Sequence, residues 1–103
     1  MSTIINIIPL DVQERLARGE IMNIIDVREP EETATGMIPG AKHIRLSEIP
    51  QRKNEIAPDV ETILVCRSGN RSGQACEYLA AQGFRNVKNM MGGMLGWKGP
   101  VQR

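Results

Sequence analysis

A cysteine stands where an apolar run gives way to small and cationic residues. Residues 62–65 are mostly apolar and lead directly into Cys66. The residues that follow are Arg67, Ser68, Gly69, Asn70 and Arg71. A strand, loop and helix in this order place a cysteine among backbone N–H groups, near the positive end of a helix dipole. N–H donors and guanidinium groups stabilise a thiolate. The pattern predicts a nucleophilic Cys66 in an anion-binding loop, with a small buried hydrophobic residue as the plainer alternative.

The length of the loop separates two kinds of cysteine chemistry. Counted from Cys66 to Arg71, it holds six residues. Cysteine-dependent phosphatases carry their phosphoryl-binding arginine one position later, where this chain has Ser72, and a histidine where it has Val65. A phosphatase or arsenate reductase is therefore disfavoured, although it remains an alternative. Because no motif places a histidine near Cys66, activation must come from the loop amides, the helix dipole and the arginines.

The composition fits one small domain spanning residues 1–103. A net charge of +1 with interspersed charges argues against nucleic-acid and membrane partners, and a monomer is expected. Two cysteines do not form a disulfide framework, and the amino terminus lacks the basic region of a signal peptide. We therefore expect a cytoplasmic protein. No group of residues has metal-ligand spacing, so no metal is predicted.

Apolar runs alternate with helical patterns along the chain. The runs predict strands at residues 4–8, 22–27, 43–46, 62–65 and 84–87. Helices are predicted to begin at Pro9, near Pro30, at Ser47 as an N-cap and at Arg71. Residues 51–61 are predicted to form a surface loop, and Pro39-Gly40 the centre of a type II turn.

Alternating strands and helices predict an α/β fold with a mainly parallel sheet covered on both faces. Sites in such sheets lie beyond the carboxyl ends of the strands. Cys66 follows one strand, and Asp26 and Arg28 end or follow another, so we expect all three at one rim. Cys76 is expected on the buried face of its helix, with Ala75, Leu79 and Ala80.

Four blocks of the sequence occur together in one known family. They are Asp26-Val27-Arg28-Glu29, Gly36 with Ile38-Pro39-Gly40-Ala41, the loop from Cys66 to Ser72, and Gly92-Gly93 with Trp97. In these blocks and their order the chain resembles the rhodanese family of sulfurtransferases, specifically its stand-alone single-domain members. The resemblance covers nearly the whole chain and implies a five-stranded parallel sheet flanked by helices on both faces.

The resemblance also implies a reaction. A Cys66 thiolate would take the outer sulfur of thiosulfate or a related donor, releasing sulfite, and the resulting persulfide would pass its sulfur to cyanide, a thiol or a thioredoxin-like protein. No cofactor is implied. The expected donor-binding residues are Arg67, Ser68, Gly69, Asn70 and Arg71. Asp26, Arg28 and Ser72 are expected to support the site.

A second hypothesis from the same residues is a persulfide carrier or sensor module. Such a module would accept sulfur from a partner protein and turn thiosulfate over poorly. The gain of one sulfur atom on Cys66 without rapid turnover would distinguish it from an enzyme.

Overall fold

The computed structural model describes residues 4–103 and contains one five-stranded sheet. The strands are β1 (Ile5–Ile7), β2 (Asn23–Asp26), β3 (Lys42–His43), β4 (Thr62–Val65) and β5 (Val87–Met90). All neighbouring strands run parallel, in the order β1-β5-β4-β2-β3. The predicted fold class is therefore confirmed. The exclusion of a signal peptide rests partly on residues 1–3, which lie outside the described residues.

Four short helices connect the strands. They are α1 (Pro9–Ala17), α2 (Pro30–Thr33), α3 (Ile49–Arg52) and α4 (Asn70–Ala81). A proline lies in the first turn of α1, α2 and α3, where its missing N–H group would have had no helical partner. Three 3₁₀ helices cover Leu46–Glu48, Lys53–Glu55 and Gly93–Gly96. Within residues 4–103, no helix has both the length and the apolar character needed to cross a bilayer.

The central strand β4 contributes to both faces of the core. Ile63 and Val65 pack with Val12 of α1 on one face, whereas Leu64 and Cys66 pack with Leu79 of α4 on the other. Successive side chains of a strand point to opposite faces, so a continuous apolar run indicates burial on both sides. This double burial fixes β4, and it fixes the point at which the chain leaves the sheet at Cys66.

Two of the predicted elements are displaced along the chain. The third strand was expected at residues 43–46 but is only Lys42–His43, because Leu46 already begins a 3₁₀ helix. Ser47 lies inside that helix and caps nothing, so its predicted N-cap role is wrong. The last strand was expected at residues 84–87 but is Val87–Met90, since Phe84 packs into the core from the turn before it.

Two smaller predictions are also corrected. The predicted surface loop at residues 51–61 begins as the end of α3 and a 3₁₀ helix, and only its later part is irregular. Ala80 is exposed, while Ala75, Cys76 and Leu79 occupy the buried face of α4 as predicted. The turn at Pro39-Gly40 is confirmed: Gly40 has a φ of 83°, and the Ala41 N–H donates to the Ile38 carbonyl at 3.0 Å.

Candidate active site

The loop that carries Cys66 leaves the sheet at its carboxyl edge and turns into α4. Cys66 follows β4 directly and is fully buried. Gly69 has a φ of 99°, a conformation that favours glycine, and it lies immediately before Asn70, the first residue of α4. The chain therefore curls around the cysteine before the helix begins, and the amino end of α4 faces the loop.

The sulfur of Cys66 accepts hydrogen bonds from both the backbone and a side chain. The Gly69 N–H donates to Sγ at 3.0 Å, and the Ser72 hydroxyl lies 3.3 Å from it. Burial raises the pKa of the Cys66 thiol. Hydrogen bonds from the Ser72 hydroxyl and from the N–H groups of Ser72, Gly69 and Ser68 outweigh burial, and the net pKa lies below the ordinary value of cysteine. The geometry thus favours the thiolate.

Asn89 supports both of these donors from the neighbouring strand β5. Its amide Nδ2 donates to the Gly69 carbonyl at 3.0 Å, and its Oδ1 accepts from the Ser72 hydroxyl. Asn89 is buried, as is Ser72. A hydroxyl has a single proton, so Ser72 donates either to Asn89 or to Cys66 at any moment. Asn89 therefore gives Ser72 an acceptor whenever the sulfur carries no charge.

The segment after β5 clamps the backbone of the loop. The Met94 N–H donates to the Cys66 carbonyl at 2.9 Å, and the Leu95 N–H donates to the Arg67 carbonyl at 3.0 Å. Gly93 allows this close approach, because a Cβ there would lie 2.5 Å from backbone atoms of both Cys66 and Arg67. The Gly92-Gly93 block of the sequence is explained by this contact.

Asp26 and Arg28 form a buried ion pair beside the loop. The Arg28 Nη2 lies 2.8 Å from the Asp26 Oδ2, and it also donates to the Gly36 carbonyl at 2.8 Å. The ring nitrogen Nε2 of His43 lies 2.6 Å from the Arg28 carbonyl. The ion pair joins the end of β2 to the segment after α2, and the His43 contact joins the Arg28 backbone to β3. Its contribution to the site stays a prediction.

The two loop arginines have different surroundings. Arg67 is exposed and borders a depression of about 480 Å³ with Thr35, Met94 and Leu95. Arg71 instead binds both carboxylate oxygens of Glu32 in α2, at 2.7 and 2.8 Å. Sequence reasoning expected both guanidinium groups to face a donor anion. In this structure the guanidinium group of Arg71 is instead paired with the carboxylate of Glu32.

Cys76 lies in the same core cluster as Cys66 but has no comparable donors. Burial raises the pKa of its thiol to about 12, with a smaller contribution from the charge of Glu77. Both cysteines are free thiols. The expectation of a buried position for Cys76 is confirmed, and its thiol is the less reactive of the two.

Two residues in contact with the loop were missed from the sequence. Asn89 gave no signal, because the predicted last strand ended at residue 87 and only the structure places Asn89 inside β5. Glu32 gave none that set it apart from the acidic residues around it, because its partner Arg71 lies 39 positions along the chain.

The fold and the loop together define a parallel α/β domain with a buried cysteine in an amide-lined loop at the carboxyl edge of its sheet. The family model described as the Rhodanese-like domain matches residues 9–100. The chain therefore belongs to the rhodanese-like domain family, as the four sequence blocks predicted.

Relatives and solved structures agree with this assignment. The chain is 44% identical over 86 residues to a protein of Allochromatium vinosum named sulfurtransferase, covering 84% of this chain and 80% of that one. It is 36% identical over 81 residues to thiosulfate sulfurtransferase GlpE of Pseudomonas entomophila, covering 79% and 74%. A crystal structure of a rhodanese-like domain protein from Staphylococcus aureus superimposes with a TM-score of 0.90 and 34% identity, covering 96% of this chain and 97% of that one.

Proposed function

We propose that the protein is a sulfurtransferase that carries sulfur as a persulfide on Cys66. The observation that carries the proposal is the pair of hydrogen bonds to Sγ, from the Gly69 N–H at 3.0 Å and from the Ser72 hydroxyl at 3.3 Å. These donors favour the thiolate without a general base, and a thiolate is the form of cysteine that attacks sulfur. The names of the relatives support the same class of reaction.

The reaction proceeds in two displacements. The Cys66 thiolate attacks the outer sulfur of thiosulfate or a related donor, a new S–S bond forms, and sulfite leaves with the electron pair of the broken S–S bond. A thiophilic acceptor such as cyanide or a thiol, including that of a thioredoxin-like protein, then attacks the terminal sulfur. The persulfide bond breaks and its electron pair returns to Cys66. Covalent catalysis of this kind gives ping-pong kinetics.

The residues of the loop take separate roles in this scheme. The N–H groups of the loop, residues 67–71, stabilise the charge on the terminal sulfur of the persulfide, and Arg67 draws the donor to the entrance. When the acceptor takes the outer sulfur and Cys66 becomes a thiolate again, the Ser72 hydroxyl donates to the Cys66 sulfur. While Cys66 carries the persulfide, the hydroxyl donates to Asn89 instead. Asp26 and Arg28 hold the rim in place.

The test measures thiocyanate formed from thiosulfate and cyanide. Wild type and Cys66→Ser are compared, with Cys76→Ser as the matched control, since Cys76 is also buried but lacks hydrogen-bond donors. We expect Cys66→Ser to abolish turnover and Cys76→Ser to retain it. Equal turnover in wild type and Cys66→Ser would refute the proposal.

The same protein samples distinguish a carrier module from an enzyme. Intact mass measured after incubation with a persulfide donor is expected to show one added sulfur atom, which a thiol reductant removes and Cys66→Ser lacks. Loading without catalytic turnover would identify a carrier. Hydrolysis of an aryl phosphate would favour a phosphatase, which Ser72 in place of an arginine argues against. A cytoplasmic location, where both thiols stay reduced, belongs to this proposal.

A further inference from the structure

The charges around the entrance of the loop nearly cancel. Arg67 and Arg71 contribute positive charge, whereas Glu31 and Glu32 of α2 contribute negative charge. Arg28 is neutralised by Asp26 at 2.8 Å. A site for a small dianion usually concentrates positive charge, because guanidinium groups bind oxyanions through paired hydrogen bonds. Within the part of the chain that the structure describes, the entrance of this loop has no such concentration of positive charge.

Glu32 is held in place before any ligand arrives. Its Oε1 accepts the Glu29 N–H at 2.9 Å as part of a capping box at the start of α2. From that position its two carboxylate oxygens accept hydrogen bonds from the Nη1 and Nη2 atoms of Arg71. Hydrogen bonds from Arg71 lower the pKa of Glu32 to about 2, so the pair persists throughout the neutral range.

We propose that Glu32 is a specificity-determining residue, which withholds the guanidinium of Arg71 from oxyanion donors and so makes this site favour thiol persulfides over thiosulfate. The inference rests on the proposed function. Thiosulfate carries two negative charges and oxygen atoms that suit a guanidinium fork. A thiol persulfide that lacks carboxylate groups carries at most one charge and has no such oxygens. Only the first kind of donor loses affinity when Arg71 is occupied.

The experiment compares Glu32→Gln with Glu31→Gln. Both variants remove one negative charge from α2, but the described contacts of Arg71 involve Glu32 and not Glu31. Formation of the Cys66 persulfide is followed by intact mass at increasing concentrations of thiosulfate, and separately with the persulfide of 2-mercaptoethanol, which has no carboxylate group.

We expect Glu32→Gln to lower the thiosulfate concentration for half-maximal loading by roughly fivefold, because it releases the guanidinium group of Arg71 near the surface. Glu31→Gln should change it by less than about twofold, because an exposed charge is screened. Loading by the persulfide of 2-mercaptoethanol should stay the same in all three proteins. In Glu32→Gln combined with Arg71→Gln, the gain should disappear.

Three results would overturn the inference: an equal gain in both single variants, no gain in Glu32→Gln, or a gain that survives loss of Arg71. If Glu32→Gln does not fold, the salt dependence of thiosulfate loading in Arg67→Gln decides, since a steep loss with salt in the absence of Arg67 would show that Arg71 is already available. Loading of wild type by neither donor would instead refute the proposed function itself.

Discussion

At the scale of single residues, the sulfur of Cys66 depends on two kinds of donor that mutation affects differently. The N–H groups of Gly69 and Ser68 belong to the backbone and remain whichever side chain is present. The hydroxyl of Ser72 can be removed alone. This difference allows the side-chain contribution to the stability of the thiolate to be measured separately.

We expect Ser72→Ala to raise the pKa of Cys66, since the Ser72 hydroxyl is among the groups that lower it in the wild type. The thiolate is the reactive form, so the pH profile of alkylation should move to higher pH. The rate at pH 7 should fall by roughly tenfold, which is close to the lower end of the range for one hydrogen bond to a charged group. The measurement is iodoacetamide alkylation followed by mass between pH 5 and pH 10.

Ser68→Ala is the matched control for this experiment. It removes an exposed hydroxyl but keeps the N–H group, so its profile should coincide with that of the wild type. A profile for Ser72→Ala that also coincides with the wild type would show that backbone donors alone activate Cys66.

At the scale of secondary-structure elements, adjacent glycines after β5 control the position of the loop. Gly92 and Gly93 have φ angles of 80° and 55°. They differ in their surroundings: a Cβ on Gly93 would meet the backbone of Cys66 and Arg67 at 2.5 Å, whereas a Cβ on Gly92 would meet nothing within 4 Å. The comparison separates backbone strain from steric overlap.

We predict that Gly93→Ala destabilises the protein by about 3 kcal/mol and lowers sulfurtransferase activity, because the loop backbone must move. Gly92→Ala should cost only about 1 kcal/mol, the strain of a left-handed conformation. Urea unfolding gives both values. Equal losses of stability in the two variants would show that the contact with the loop contributes nothing.

The elements that the sequence predicted well are those whose pattern has a single explanation. Residues 62–65 match β4 because a continuous apolar run bounded by polar residues must be buried on both faces. In β5, however, Lys88 and Asn89 interrupt the pattern, while Phe84 supplies an apolar residue too early. Asn89 is buried because its amide holds the loop, and only the fold reveals that reason.

The functional site, too, was predicted well only where the sequence pattern has a single explanation. The loop from Cys66 to Ser72 could be predicted because its chemistry is local in the chain. The pairing of Glu32 with Arg71 could not, because it depends on how α2 packs beside α4. Sequence reasoning therefore located the cysteine and its amides, but it overestimated the free positive charge around them.

At the scale of the whole molecule, Glu61 joins elements that are distant in the chain. Its carboxylate lies 2.6 Å from the Nζ of Lys88 in β5 and accepts hydrogen bonds from Arg15 of α1. Hydrogen bonds from Arg15 and then from Lys88 lower the pKa of Glu61 from 4.5 to about 2. A group with a lowered pKa stabilises the fold above its unfolded pKa, and this contribution disappears as the pH falls through the folded value.

We therefore expect Glu61→Gln to be less stable than wild type at pH 7 by about 1 kcal/mol, a modest value because the side chain is 24% exposed. The difference should shrink between about pH 4.5 and pH 2, where Glu61 becomes protonated in the wild type. Urea unfolding at several pH values measures it. Glu20→Gln, a more exposed partner of Arg15, serves as the control. A difference that is the same at pH 7 and at pH 2.5 would contradict the assignment.

The strand order has a consequence for synthesis on the ribosome. Among the described residues β1 pairs with β5 alone, so Ile5 finds its partner Lys88 only after β5 has been made. The backbone clamp on Cys66 comes later still, from Met94. A nascent chain that stops short of residue 94 therefore lacks the backbone hydrogen bonds that hold the loop of Cys66 from the segment after β5. The loop of Cys66 is therefore fixed in place only after both β5 and the segment that follows it have been made.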